Sequence, residues 1–257
     1  MSIILSQLLV GVVVAAAASL LGVFAILKRM SLVGDALSHV ALPGIALAIF
    51  FKINPFVGAL AFLFLSAIGI WLLEYHSTLS VETIVGVFFT SSLALGALFI
   101  PQVELLEALF GDITKLTTID TIFTVILSLG LIATLLWFSK RLALHMVSQE
   151  LAYSVGVRPR QLEFIFLVLF ALGVALGLKF VGALLMGALI IIPAAAAKNI
   201  ARGLTQFMAL SVGIGTLSAV IGIYIASIYP VPPGPTFILV SAVFFILSLG
   251  WRFLTRR

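Results

Sequence analysis

Long apolar stretches recur along the whole of this chain of 257 residues. Each stretch has about 20 residues, which is enough for a helix to cross a hydrocarbon layer roughly 30 Å thick. The chain is 63% apolar and only 9% charged, with a mean hydropathy of +1.34, whereas soluble domains are about half apolar and a quarter charged. A water-soluble protein of this size cannot bury so much apolar surface, and we therefore predict an integral membrane protein.

Nine candidate spans account for these stretches. They cover residues 3–27, 35–51, 55–74, 82–100, 120–139, 161–178, 181–197, 205–227 and 236–253. The predicted fold is an all-α polytopic membrane protein with a bundle of eight to nine transmembrane helices, since one weak candidate need not be a full span. No hydrophilic stretch is long enough for a second domain, so residues 1–257 are predicted to form a single transmembrane domain.

Positive charges are distributed unevenly between the predicted loops. When the basic loop at 140–160 is placed in the cytoplasm, eleven of the 14 Lys and Arg residues fall on that side, and Lys52, Lys115 and Lys179 fall on the other. Cytoplasmic loops carry such an excess, which predicts a cytoplasmic C-terminus. The N-terminus lies outside with nine spans and inside with eight. The same rule explains the net charge of +5, so no nucleic-acid partner is expected.

The second span carries polar side chains that are costly in a membrane. Asp35 and His39 are four residues apart, so they lie on one face of a helix, close enough to bind one cation together or to hydrogen-bond each other. The chain has no cysteine, and a metal site must therefore use His, carboxylate or carbonyl ligands. Pro43 predicts a kink beside the pair. Alternatively, Asp35 caps the helix N-terminus and His39 only packs.

Other polar features have less specific interpretations. The segment Gln102–Thr118 is short, amphipathic and acidic, and it falls outside, where a lid or a docking surface would lie. His76 and His145 fall in predicted cytoplasmic loops and are expected to be solvated, with an accessory site for departing metal as the less favoured interpretation of His76. The proline-rich turn at 229–235 is predicted to be an external loop.

Four segments, in order along the chain, carry a resemblance. They are Arg29–Val33 running into GDALSHVALPG at 34–44, then Lys179–Leu185, Ile192–Ala197 and Pro233–Pro235. Together they are similar to the signature segments of bacterial ABC-transporter permeases for zinc, manganese and iron. In that family the aspartate and histidine of the second-span motif are thought to line the metal path, a role that the resemblance gives to Asp35 and His39.

A further match lies in the basic loop at 140–160. Glu150, Ala152 and Gly156 reproduce the spacing E-x-A-x-x-x-G, which is similar to the loop that ABC permeases insert into a groove of their ATPase. A short helix ended by Gly156 would form this knob, and an ordinary interfacial helix with a glycine stop is the alternative. No G-x-x-x-x-G-K-[ST] motif occurs, so the chain is expected neither to bind nucleotide by that device nor to be an enzyme.

The resemblance implies a complete transport system. The chain would be the permease of an ATP-driven importer in the bacterial inner membrane, forming the translocation path as a homodimer surrounded by lipid. Two copies of a separate ATPase would drive transport, and an extracytoplasmic metal-binding protein would deliver zinc, manganese or iron as cargo, with no bound cofactor. Two alternatives stay open: a secondary carrier or channel for divalent cations that uses Asp35 and His39, and an ABC permease for a metal chelate.

Overall fold

The computed structural model describes residues 3–100, 109, 111, 117–147, 153, 156, 158–229 and 231–255, and every regular element within them is a helix. The helices are α1 (Ile3–Leu27), α2 (Val33–Val40), α3 (Leu42–Phe50), α4 (Pro55–His76), α5 (Val81–Phe99), α6 (Thr118–Val147), α7 (Pro159–Val181), α8 (Met186–Ile200), α9 (Leu204–Ile228) and α10 (Pro233–Thr255). Counting α2 and α3 together, eight helical stretches of the described chain are long and apolar enough to cross a membrane, and α8 is a shorter apolar helix. The predicted all-α polytopic membrane fold is confirmed.

Two helix boundaries differ from the predicted spans. α6 continues to Val147, although the predicted span stops at residue 139, because Lys140 and Arg141 end the apolar pattern without ending the helix. Long basic side chains favour helix and reach solvent from its surface. α8 begins at Met186 because the backbone turns at Gly182, where φ is 75°. Because α6 continues to Val147, the connection between α6 and α7 is shorter than the expected loop at 140–160.

Those helix ends that carry basic residues lie together at one end of the bundle. Lys28, after α1, contacts Glu163 near the start of α7, and the guanidinium of Arg160 lies 3.6 Å from the centre of the Tyr75 ring near the end of α4. The end of α8 borders a cavity shared with α1 and α6, and the end of α10 is hydrogen-bonded to α8. Lys52 follows α3 at the opposite end. The helices therefore alternate in direction along the chain, as the predicted topology requires.

α1 lies at the centre of the bundle. Its buried residues include Val14, Leu21 and Phe24, and it packs against α6, α8 and α9. At Gly22 an added Cβ would collide with the carbonyl of Ile190, so α1 and α8 are in backbone contact, as the small-residue pattern of membrane helices allows. By contrast, α4, α5 and α10 expose large apolar side chains. These faces suit lipid or a second copy of the chain.

The predicted outer segment Gln102–Thr118 lies mostly outside the described residues. Its described residues Leu109 and Gly111 lie against the turn between α7 and α8, where the N–H of Leu184 donates to the carbonyl of Leu109 at 3.0 Å. The functions of a lid or docking surface remain predictions.

Candidate functional site

The second span is broken beside the polar pair. α2 ends at Val40 and α3 begins at Leu42, with Ala41 at the junction. Pro43 occupies the first turn of α3, where its missing N–H costs no helical hydrogen bond. At the position of the predicted kink there is a one-residue interruption between α2 and α3, at which Ala41 keeps helical backbone angles of φ −70° and ψ −22°. It falls less than one turn after His39.

Asp35 lies in the first turn of α2 and lines a cavity of about 650 Å³ between α2 and α5. Its side chain is half-buried, and Glu82, Gly86 and Phe89 of α5 form the facing wall. The N-cap residue of α2 is Leu32, but Asp35 lies in the first turn, where its charge suits the helix dipole as the alternative interpretation expects. The carboxylate is therefore open to a water-sized or ion-sized guest in the cavity.

His39 follows one turn later and is buried, with 8% of its surface exposed. Its ring packs against the ring of Phe89, with 5.4 Å between centroids and an angle of 59°. Because Phe89 also lines the cavity, the imidazole lies next to the cavity wall. Within the described part of the chain, Nδ1 of His39 has no hydrogen-bond partner. Buried polar atoms are normally paired, so this nitrogen is available to a ligand.

Contacts with the start of α8 hold α2 in place. The hydroxyl oxygen of Ser38 lies 2.6 Å from the carbonyl oxygen of Ala183 and 2.6 Å from that of Asp35. At Gly187 an added Cβ would lie 2.6 Å from the Cβ of Asp35. The two helices therefore touch at the residue that carries the carboxylate.

We expect Gly187→Ala to destabilise the protein by about 1–3 kcal/mol, the usual cost of overpacking a tight contact. The matched control is Gly86→Ala on α5, because a Cβ at Gly86 meets no atom within 4 Å. Thermal unfolding in detergent should show a lower midpoint for Gly187→Ala only. Equal midpoints for the two variants would contradict the close contact between α2 and α8.

Only part of the predicted coupling segment falls within the described residues. Glu150 and Ala152 lie outside them. Gly156 is exposed with φ of 75°, its N–H donates to the carbonyl of Tyr153 at 3.1 Å, and an added Cβ would meet nothing within 4 Å. Positive φ favours glycine, as the predicted helix-ending glycine requires. The segment connects the end of α6 at Val147 to the start of α7 at Pro159.

The prediction for His145 is wrong. This residue is not in a solvated loop but in the last turn of α6, where it is 4% exposed. Its Nε2 lies 3.1 Å from Oε2 of Glu163, and Lys28 contacts the other carboxylate oxygen. His76 is exposed, as expected, at the end of α4. Sequence reasoning missed Glu163, although a carboxylate inside a predicted span is itself a signal, since such charges are costly in lipid.

No group of three or more His, Cys, Asp or Glu side chains in the described residues could hold a metal ion. The pair of Asp35 and His39 is therefore at most half of the four-ligand set that zinc prefers. A complete cage would need backbone oxygens, water or a second copy of the chain.

Comparisons with known proteins match nearly the whole chain. A family model with the description "ABC 3 transport family" matches residues 1–252. The high-affinity zinc uptake system membrane protein ZnuB of Haemophilus influenzae is 35% identical over 255 residues, which cover 97% of this chain and 98% of the relative. The manganese import system permease protein ScaB of Streptococcus parasanguinis is 34% identical and covers 95% of this chain, with 88% of the relative covered.

Two solved structures share the fold. PsaBC from Streptococcus pneumoniae in complex with Fab has a TM-score of 0.85 and 31% identity, covering 96% of this chain and 91% of that one. An inward-facing metal-chelate type ABC transporter has a TM-score of 0.79 at 21% identity, covers 95% and 85% of the two chains, and shows the fold alone. These matches confirm the resemblance found in the four sequence segments, and this multi-pass membrane protein belongs to the ABC 3 transport family.

Proposed function

We propose that this chain is the permease of an ATP-driven importer for divalent transition metal ions, with Asp35 and His39 lining the metal path. The observation that carries the proposal is the half-buried carboxylate of Asp35 in a large cavity, one turn before a buried imidazole whose Nδ1 has no partner within the described residues. Relatives over almost the whole length are named as zinc and manganese permeases, which supports the same cargo class.

The ligand chemistry suits zinc, manganese or iron. A carboxylate oxygen and an imidazole nitrogen bind all three ions, and a chain without cysteine offers no thiolate to favour the softer ones. One chain supplies two such ligands. In the proposed homodimer, two copies of α2 facing each other would supply two carboxylates and two imidazoles, enough for tetrahedral zinc, or for manganese with added water.

The proposed partners would bind at opposite ends of the bundle. The basic end is assigned to the cytoplasm, which places the C-terminus there, and the N-terminus outside with nine passes. Two ATPase subunits would dock at this end, on the docking segment, which is residues 148–158 between α6 and α7 and contains Glu150, Ala152 and Gly156. An extracytoplasmic metal-binding protein would dock at the opposite end, in a system of the bacterial inner membrane. Residues 1–257 act in this proposal as one permease domain.

Reconstitution into liposomes with the ATPase and the binding protein tests the function. We expect uptake of Mn²⁺ or Zn²⁺ that requires ATP, the ATPase and the loaded binding protein. Uptake by the permease alone would instead establish a secondary carrier or channel. Preference for a metal chelate over the free ion would establish the other alternative. Growth rescue of uptake-deficient bacteria on limiting zinc, manganese or iron would identify the cargo.

A further inference from the structure

We propose that Lys28, His145 and Glu163 form a positioning cluster that transmits movement of the ATPase-docking segment to the metal-path helix α2. The inference rests on the proposed function, because it assigns a role in coupling. None of the three residues lies in the metal path or in the docking motif. Their role would be to act through the backbone segments on which they stand.

The three residues stand at helix ends that border the docking segment or α2. His145 stands in the last turn of α6, directly before the docking segment, and Glu163 stands near the start of α7, directly after it. Lys28 follows α1 at the turn that leads into α2, which carries Asp35. The cluster therefore joins both ends of the docking segment to the connection that enters the metal path.

The contacts are direct and use both oxygens of one carboxylate. The ammonium of Lys28 contacts Oε1 of Glu163, while Nε2 of His145 lies 3.1 Å from Oε2. The exposed fractions of the side chains are 16% for Lys28, 8% for Glu163 and 3% for His145. Because the carboxylate is shared between two partners, α1, α6 and α7 cannot separate at this point without leaving a buried charge unpaired.

The connection from Lys28 to α2 is short and tight. Arg29 adopts a left-handed conformation with φ of 61°, and the N–H of Met30 donates to the carbonyl of Ala25 at 2.9 Å. α2 then starts at Val33. A turn closed by its own hydrogen bonds has little slack, so displacement of Lys28 shifts the first turn of α2.

A side chain of the docking segment reaches the cluster. Tyr153, three residues before Gly156, lines a cavity of about 180 Å³ together with His145 and Glu163. Glu74 and Arg160 line the same cavity. Tyr153 and the charged groups thus border the same cavity, which brings a side chain of the docking segment close to the cluster.

Purely structural attachment of the helices would not need charge, since packed apolar residues hold buried helices at least as well as an ion pair. A shared carboxylate instead fixes one relative position of three helices. A rigid link between a docking site and a transport path requires helices that are held in one fixed relative position. The cluster is therefore assigned to coupling between ATP hydrolysis and transport.

The test uses the full complex of permease, ATPase and metal-binding protein in liposomes, and measures ATP hydrolysed per Mn²⁺ or Zn²⁺ ion imported. We expect Glu163→Gln and Lys28→Met to raise this ratio about tenfold, in the range by which residues of a coupling network change coupling. The exchanged pair Lys28→Glu with Glu163→Lys should lower the ratio about threefold from that of the single variants, since the attraction between positions 28 and 163 is regained while the hydrogen bond to His145 is not. Lys140→Met, an exposed lysine on α6, is the matched control and should keep the original ratio.

Co-purification with the ATPase shows whether each variant assembles. If a single variant does not assemble, the exchanged pair carries the test, because it retains both charges. Unchanged ratios in the single variants, or an exchanged pair no better coupled than they are, would overturn the inference. Absence of ATP-dependent uptake in the unmodified complex would instead reject the proposed function, which keeps the two failures distinct.

Discussion

Replacing Asp35 or His39 with Ala is expected to abolish metal uptake and to leave the permease assembled with its ATPase. Each change removes one of the two side chains that we propose line the metal path, and loss even of groups that only orient the ligands of a metal costs about 10–100-fold in affinity or activity. In a homodimer each substitution removes two ligands at once. The measurement is initial uptake of Mn²⁺ and Zn²⁺ into liposomes that contain the complete importer.

His76→Ala is the matched control for His39→Ala. His76 is exposed at the end of α4, and its Nδ1 already lies 2.8 Å from the carbonyl of Leu72. We expect this variant to transport metal at the original rate. Full uptake by both Asp35→Ala and His39→Ala would reject the metal path. Reduced uptake by His76→Ala would revive its interpretation as an accessory site.

The helical spans could be predicted because hydropathy is a local property. Runs of about 20 apolar residues leave helices as the available structure in lipid, and the excess of Lys and Arg at alternate loops agrees with the alternating helix directions. The interruption near Ala41 could also be predicted from local sequence, because it depends on Pro43. The late end of α6 was not, because hydropathy marks where the membrane ends and not where the helix ends.

The proposed metal path was predictable only as far as one helix allowed. Asp35 and His39 share a helix face by their spacing, whereas the wall that faces Asp35 comes from α5 and its backbone neighbour is Gly187. A single sequence gives no contact between elements so far apart along the chain. For the same reason, the sequence did not predict the pairing of Lys28 with Glu163, which are 135 residues apart.

The burial of His145 could not be predicted for the same reason. Near Lys140 and Arg141 the sequence is polar, which is typical of a loop, yet the histidine faces α7 from the last turn of α6. The partner carboxylate offsets part of the cost of that burial by pairing with Nε2, whereas Nδ1 has no partner within the described residues. A cluster that spans three helices therefore becomes visible only in three dimensions.

Gly156→Trp should uncouple ATP hydrolysis from transport, so that the ATPase remains active while uptake falls by at least about tenfold. Any residue with a Cβ is disfavoured at φ of 75°, at a cost of about 1–2 kcal/mol. The side chain itself meets no atom of the described chain within 4 Å of its Cβ position. A penalty that grows with side-chain size is what we expect if a partner fits closely around this residue.

Gly156→Ala separates backbone strain from bulk. Ala and Trp have the same unfavourable φ, but only Trp adds a large group to the knob, and Gly156→Asn is a further control because Asn tolerates the left-handed region. ATP hydrolysed per imported ion should stay near the original value for Asn, rise modestly for Ala and rise most for Trp. Equal ratios for Ala and Trp would attribute the whole effect to the backbone and contradict a close fit between the knob and the ATPase.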